Sequence, residues 1–174
     1  AVGRLENQKG FDMLIDCWKR VAEQHPDWHL DIYGVGSLHD KLQEQIDQLR
    51  LNDYITLCGC SNNIMDVYPE YSLHIMSSRY EGQPMTLIEA QACGLPSVVF
   101  NFKFGAADIV QNGVNGIIVE QNDCKAFSEA LCKMMSSEDM RKKYGQNALE
   151  VGKQYFKNNV FSKWIELLEF ISKA

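Results

Sequence analysis

At 174 residues the chain is long enough for one domain with a sizeable core, since most domains fall between about 50 and 250 residues. An apolar share of 45% and a charged share of 23% are ordinary for a globular protein. The net charge of −6 argues against nucleic acid or an anionic membrane as the main partner, while leaving room for a local basic pocket that takes a small anion.

Strand-like and helix-like segments alternate along the chain. "AVGRL" reads as the end of a strand. In "GFDMLIDCWKRVAEQHP" the apolar residues Phe11, Leu14, Ile15, Trp18, Val21 and Ala22 recur at helical spacing, and Pro26 closes the segment. "WHLDIYG" is a strand ended by Gly34. "HDKLQEQIDQLRL" is an amphipathic helix with Leu42, Ile46 and Leu49 on one face. "YITLCG" is a strand, "NIMDVYPEY" a helical turn, "SLHIMSS", "PSVVFNF" and "GIIVE" further strands. The tail reads as three helices, near Ala126 to Met135, Glu138 to Val151 and Val160 to Ser172. Alternation at this spacing predicts an α/β, Rossmann-like, doubly wound parallel sheet of about six strands with helices on both faces. Continuous apolar strands such as "SVVF" fit burial on both sides. No apolar run approaches the roughly 18–20 residues of a transmembrane helix. A chain that opens almost on a strand reads as a piece of a longer protein.

In such domains ligands bind outside the carboxyl ends of the strands, which directs attention to the strand-to-helix loops. In the first, "GRLENQKG", Arg4 and Lys9 stand before a helix, with Gly3 and Gly10 allowing tight turns. Two cations over a helix N-terminus suit a phosphate or diphosphate, because the helix end adds N–H donors and a positive partial charge. Two solvated surface cations would look the same. The second loop, "YGVGSLHDKL", has a Gly-x-Gly, but the third glycine and the acidic residue of a dinucleotide fingerprint are missing; a tight turn explains it.

The richest stretch is "RYEGQPMTLIEAQACGLP", Arg79 to Pro96. Pro84 suits the first helical position and Gly94 a left-handed cap just past the last turn. Glu81 then lies in the loop and Glu89 in the second turn of the helix. At 1.5 Å rise per residue the two carboxylates stand on the order of 10 Å apart, too far to share a proton. That spacing suits the two ends of an elongated ligand: a carboxylate accepts hydrogen bonds from neighbouring hydroxyls, and a nucleotide sugar has one diol on its hexose, another on its ribose, and a diphosphate between them. A solvated loop Glu81 and an exposed helical Glu89 are the plain alternative.

Other chemistry is sparse. There is no Asp-x-Asp pair, no Gly-x-Ser-x-Gly elbow and no P-loop. His74, inside "LHIM", reads as a hydrogen-bonded core residue. Ser77 and Ser78 at a strand end are available as unspecific ligand donors. The six cysteines, Cys17, Cys58, Cys60, Cys93, Cys124 and Cys132, include no CxxC pair and read as free thiols in a reducing cytoplasm; the Cys58–Cys60 spacing fits no common zinc pattern.

"VGRLENQKGFDMLIDCW", "ITLCGCSNNIMDVYPEYSLHIMSSRYEGQPMTLIEAQACGLPSVVF" and "DIVQNGVNGIIVE", in that order and spacing, resemble the carboxyl-terminal, donor-binding domain of glycosyltransferase family 4, whose retaining members have two Rossmann-like domains (the GT-B fold). The resemblance covers Val2 to Tyr155. It implies that Gly3, Arg4 and Lys9 meet the donor diphosphate and that Glu81 binds sugar hydroxyls. The backbone from Gly82 through Gln83, Pro84, Met85 and Thr86 to Leu87 would meet sugar and phosphates. Glu89 would bind the ribose, and Cys58, Gly59 and Cys60 would border the base. Arg4, Lys9 and Glu81 would carry the catalytic part. It further implies transfer from a UDP-linked hexose with retention, no cofactor and no metal ligands, the departing phosphate itself helping to deprotonate the acceptor. The acceptor, a glycan or lipid-linked molecule, would sit on an amino-terminal domain of the same protein, against which "VFSKWIELLEFIS" would pack. The protein would be cytoplasmic, with peripheral contact at the inner membrane face through that other domain.

The wording is similar to bacterial galactosyl- and N-acetylgalactosaminyltransferases of surface polysaccharide assembly. Two departures stand out. Gln83 replaces the Phe often found after "EG", which points to a polar residue tuning sugar choice. "FGAADIV" has one glycine and Asp108 in place of a Glu, so no role passes to Asp108. A nucleotide-sugar-binding module without transferase activity is the competing reading. An epimerase or dehydrogenase would need a dinucleotide fingerprint and a Tyr-x-x-x-Lys pair, and both are absent.

Overall fold

The computed structural model describes residues 1–173. Its elements run α1 (Phe11–Gln24), β1 (Leu30–Tyr33), α2 (His39–Gln48), β2 (Ile55–Gly59), α3 (Ile64–Val67), β3 (His74–Met76), α4 (Met85–Ala92), β4 (Ser97–Phe100), α5 (Ala106–Ile109), β5 (Gly116–Val119), α6 (Cys124–Met135), α7 (Glu138–Lys153) and α8 (Lys157–Ser172). Single 3-10 turns lie at Asn7–Lys9 and Tyr68–Glu70.

The strands are all parallel, but they form two sheets, β1–β2 and β3–β4–β5. The expected count of about six is therefore corrected to five among the described residues. The opening segment makes a single parallel bridge, Val2 to Tyr33, with Gly3 N–H donating to Tyr33 O at 2.9 Å and Tyr33 N–H to Ala1 O at 2.9 Å. One bridge gives strand direction but too short a ladder to count as a strand.

Both faces of the β3–β4–β5 sheet are covered, as continuous apolar strands require. Val98 and Phe100 point into the larger core with Leu14, Ile15, Trp18 and Phe127, while Val99 between them joins Met76, Leu87, Ile88 and Ile109 on the opposite side. Side-chain alternation along β4 thus assigns α1 and α6 to one layer and α4 and α5 to the other. α1 buries all six residues of its predicted stripe, and Cys17 as well. Burial of a large apolar side chain of this kind contributes about 1.5–3 kcal/mol. Phe100 and Phe127 stack at 4.1 Å between centroids. α6 and α7 start on side-chain caps: Asp123 accepts from Ala126 N–H and Ser137 from Met140 N–H.

Two further expectations change. Pro84 is the N-cap of α4 rather than its first residue, because its ψ of 75° lies outside the helical range while its carbonyl accepts the opening bonds from Leu87 and Ile88 N–H at 3.0 and 3.2 Å. "FGAADIV" contains the short helix α5. The six cysteines are not all free. Cys17 and Cys124 are disulfide-bonded with Cα atoms 5.2 Å apart, leaving Cys58, Cys60, Cys93 and Cys132 as thiols. The pair is made by packing α1 beside the start of α6 across a sequence separation of 107, and it withdraws the cysteine argument for a reducing compartment. Gly94 takes φ +75°, the left-handed conformation expected just beyond α4. Among the described residues, no helix is long and apolar enough to cross a membrane.

Candidate functional site

The loops that leave the carboxyl ends of the strands converge on one edge of the molecule. The Asn7–Lys9 turn and the β3–α4 loop are fastened together at several points. Arg79 grips the Asp12 carboxylate with both terminal nitrogens, at 2.8 and 2.6 Å, and donates to Asn7 O at 2.7 Å. Its backbone N–H donates to Gln8 O at 2.8 Å, and Ser77 Oγ donates to Lys9 O at 2.9 Å. The Arg79 guanidinium beside Asp12 holds that carboxyl below the usual carboxylate range, first through its hydrogen bonds. A bidentate pair of this kind fixes orientation as well as contact.

Gly10 lets the two loops touch. It sits at φ +63°, and a Cβ there would lie 2.2 Å from Ser77 O. Gly10→Ala is therefore expected to destabilise the chain by more than the about 1–2 kcal/mol of a left-handed backbone alone, since backbone must also shift. Chemical denaturation checks this, and an unchanged midpoint would refute the close-approach argument.

The fastening brings Lys9 and Glu81 together. Glu81 is 9% exposed. Its Oε1 accepts from Lys9 Nζ and from Ser78 Oγ, both at 2.6 Å, and its Oε2 accepts from Gln8 Nε2 at 3.3 Å. A carboxylate has roughly four acceptor positions, so Oε1 is filled internally and Oε2 keeps one for an incoming hydroxyl. Lys9 Nζ spends one N–H on Glu81 and retains two. Ser77 and Ser78, expected as ligand donors, instead donate to the protein itself. Arg4 is exposed, and its Nη2 donates to Gln8 Oε1 at 3.4 Å.

Beside Arg4 a cleft of about 220 Å³ is lined by Gly3, Tyr33, Gly34, Val35, Cys60, Ser61 and their neighbours. Cys60 thus reaches the same region as Gly3 and Arg4. Cys58 does not line it: its thiol turns back toward Thr56 O and Asp31, and burial, with the Asp31 charge second, pushes it up. Gly59 spends its carbonyl on Gly34 N–H at 2.7 Å, tying the two loops that floor the cleft. Glu6 accepts Ser37 N–H and Oγ at 2.9 and 2.8 Å, which ties the first loop to the second.

At the start of α4, Gly82, Gln83 and Met85 are exposed and Leu87 is fully buried in the core. The side chain of Leu87 is thus unavailable to a ligand. Met85 and Leu87 N–H already donate to Gln83 O and Pro84 O, which leaves Gly82, Gln83 and Thr86 as amides of this stretch without a partner among the described residues. Thr86 Oγ1 is buried with no hydrogen bond. Glu89 lies further along α4, half-buried, accepting from Tyr68 Oη at 3.2 Å; burial, with Glu89 second, pushes the Tyr68 hydroxyl above its ordinary range. His74 is buried, held at Nδ1 near Ser97 Oγ, and desolvation lowers it to about 3. It stays neutral and structural. Among the described residues no cluster of three or more His, Cys, Asp or Glu has metal-binding geometry.

The residues that sequence reasoning missed are those that hold others: Gln8, Arg79, Asp12 and the Glu6–Ser37 pair. Apart from Arg4, four positions from Gln8, their partners lie 31 to 73 positions away, beyond the reach of any local pattern.

Comparison with known proteins bears on this arrangement. The chain is 35% identical over 168 residues to the amylovoran biosynthesis glycosyltransferase AmsD of Erwinia amylovora, covering 97% of this chain and 47% of that protein. It is 31% identical to the UDP-N-acetylglucosamine–peptide N-acetylglucosaminyltransferase GtfA subunit of Streptococcus gordonii, covering 97% of this chain and 34% of that one. A point mutant of S. aureus TarM, solved in complex with fondaparinux, α-GlcNAc-glycerol and UDP, superposes with a TM-score of 0.90 at 25% identity, over 95% of this chain and 34% of TarM. The chain thus spans less than half the length of these relatives. With residues 1–151 matching the family description "glycosyl transferases group 1", the chain belongs to that family.

Proposed function

We propose that this chain is the donor-binding half of a retaining, family 4-like glycosyltransferase that moves a hexose from a UDP-sugar to a glycan or lipid-linked acceptor in bacterial surface polysaccharide synthesis. The observation that carries the reading is the joined cluster Arg4–Gln8–Glu81–Lys9 at the carboxyl ends of the strands. It sets two cations and one carboxylate around a point where a diphosphate meets a sugar. Arg4 and Lys9 stabilise negative charge growing on the departing UDP, Glu81 Oε2 takes one sugar hydroxyl, and Glu89 takes the ribose. The free amides of Gly82, Gln83 and Thr86 face the sugar and phosphates, and the cleft by Gly34, Val35 and Cys60 takes the base. The donor is a substrate, and the reading calls for no cofactor.

Galactose, N-acetylgalactosamine and glucose are the sugars the motif wording suggests; the GtfA relative, named for UDP-N-acetylglucosamine, adds that sugar to the set. The acceptor would lie on an amino-terminal domain, with α8 packing across it. α8 has no buried residue, and Phe161, Trp164, Ile165 and Leu168 are each at least 55% exposed.

Calorimetric titration tests the reading. Arg4→Ala is expected to weaken UDP about tenfold, the size of one lost hydrogen-bonded charge contact, and to weaken uridine by clearly less. Equal UDP affinity in the variant would remove Arg4 from the diphosphate, and preference for GDP over UDP would overturn the donor class. A nucleotide-sugar-binding module without transferase activity is the competing reading; sugar moved to an acceptor by the chain alone would defeat it.

A further inference from the structure

We propose that Gln8 is the positioning residue that couples the diphosphate end of the site to the sugar end. The inference rests on the proposed donor-binding function. Among the described residues, Gln8 is the one side chain hydrogen-bonded to both Arg4 and Glu81. Its Oε1 accepts from Arg4 Nη2 at 3.4 Å, and its Nε2 donates to Glu81 Oε2 at 3.3 Å and to Tyr80 O at 3.0 Å. An amide has an acceptor at one end and donors at the other, so the cation-facing and carboxylate-facing ends are fixed together: once Arg4 holds Oε1, Nε2 is directed at Glu81.

This link is not needed to hold the loops. The Arg79–Asp12 pair, the Arg79 N–H to Gln8 O bond and the Ser77 Oγ to Lys9 O bond already do so without the Gln8 side chain. What the side chain adds is orientation. Glu81 Oε1 is fixed by Lys9 and Ser78. Oε2, the oxygen with an acceptor position still open, is set by Gln8. When a diphosphate orders the exposed Arg4, the guanidinium steadies the Gln8 amide, and the amide in turn holds Oε2 in place for the sugar hydroxyl. The sugar is therefore read more strictly when the diphosphate is present.

The test is a set of titrations of the chain with UDP and with UDP-glucose, UDP-galactose and UDP-N-acetylglucosamine, on wild type, Gln8→Met, Gln8→Ala, Arg4→Ala and Arg4→Ala/Gln8→Met. The readout is the affinity gained from the attached sugar, the ratio of the best UDP-sugar to UDP. Met keeps the length of Gln and removes all three hydrogen bonds, to Arg4, Tyr80 O and Glu81. In Gln8→Met the ratio is expected to fall about three- to tenfold, one ordinary hydrogen bond's worth, with the melting temperature within about 2 °C of wild type. Adding Gln8→Met to Arg4→Ala should lower the ratio further by less than it does in wild type, because the coupling is already lost. Gln8→Ala is the second probe should Met introduce new contacts. A wild-type ratio above one that is unchanged in both Gln8 variants overturns the positioning role. So does a fall in UDP and UDP-sugar affinity by the same factor, which is what a purely structural role would give. A wild type that binds no UDP overturns the donor-binding function itself, a result separate from either.

Discussion

Lys9→Met is expected to destabilise the chain by about 3–5 kcal/mol, the range for breaking a buried ion pair from one side, and to abolish UDP-sugar binding. The side chains of Lys9 and Glu81 are 14% and 5% exposed. Met fills the space of the lysine stem but leaves the Glu81 carboxylate buried with only the Ser78 hydroxyl and the Gln8 amide. For a domain of this size such a loss lowers the melting temperature by roughly 6–20 °C. The double variant Lys9→Met/Glu81→Gln separates the two effects. A neutral amide oxygen still accepts from Ser78 and carries no charge to bury, so most of the stability should return while donor binding does not. Thermal melts and calorimetry on the three chains decide it; a Lys9→Met protein that melts with wild type would show that Glu81 is solvated in solution and that the pair is not the buried unit described above.

The second large effect is expected far from the ligand. Asn115 is fully buried. Its Nδ2 donates to Gln91 Oε1 at 2.7 Å and to Ile109 O at 2.9 Å, and its Oδ1 accepts from Gln111 N–H at 2.7 Å. Gln91 Nε2 continues the network to Ser97 Oγ at 3.0 Å. Asn115→Leu has similar bulk and no polar atom, so three groups lose their partners at about 1–3 kcal/mol each. A loss of roughly 3–9 kcal/mol in urea unfolding is expected on that basis, with weakened donor binding as a consequence. Gln91 lies on α4 two positions after Glu89, and the network sets the seating of that helix against β4. A loss below about 1 kcal/mol would show that water replaces Asn115 and that the network is not a closed one.

That network also shows where local pattern stops. "NGVNG" was legible as part of an ordered family wording, but its reason is tertiary: Asn115 is the plug between α4, α5 and the turn before β5. The stripe of α1, the polar-apolar rhythm of α2 and the left-handed Gly94 were legible because each depends on neighbours within one or two turns. Pro84 missed by one position because the N-cap and the first helical site differ only in ψ, which no residue type fixes alone. The sixth strand was miscounted because Val2 makes one bridge. Cys17 and Cys124 meet only once α1 and α6 lie side by side. In the site, Arg4, Lys9, Glu81 and Glu89 stood out by charge and spacing. Gln8 and Arg79 did not, since the partners that give them a role across the two loops, Glu81 and Asp12, lie some seventy positions away.

The loop fastening bears finally on how such a site can change over evolutionary time. The residues that hold the frame, Arg79 on Asp12 and Ser77 against Lys9 and Gly10, fasten the same two loops, so a change at any of them disturbs that junction. Gln83 and Met85 stand at the mouth of α4, exposed, with no side-chain hydrogen bond among the described residues. They can drift without unsettling the frame. If the site holds a nucleotide sugar as proposed, exchanges at those two positions would alter the sugar end and leave the fastened loops intact.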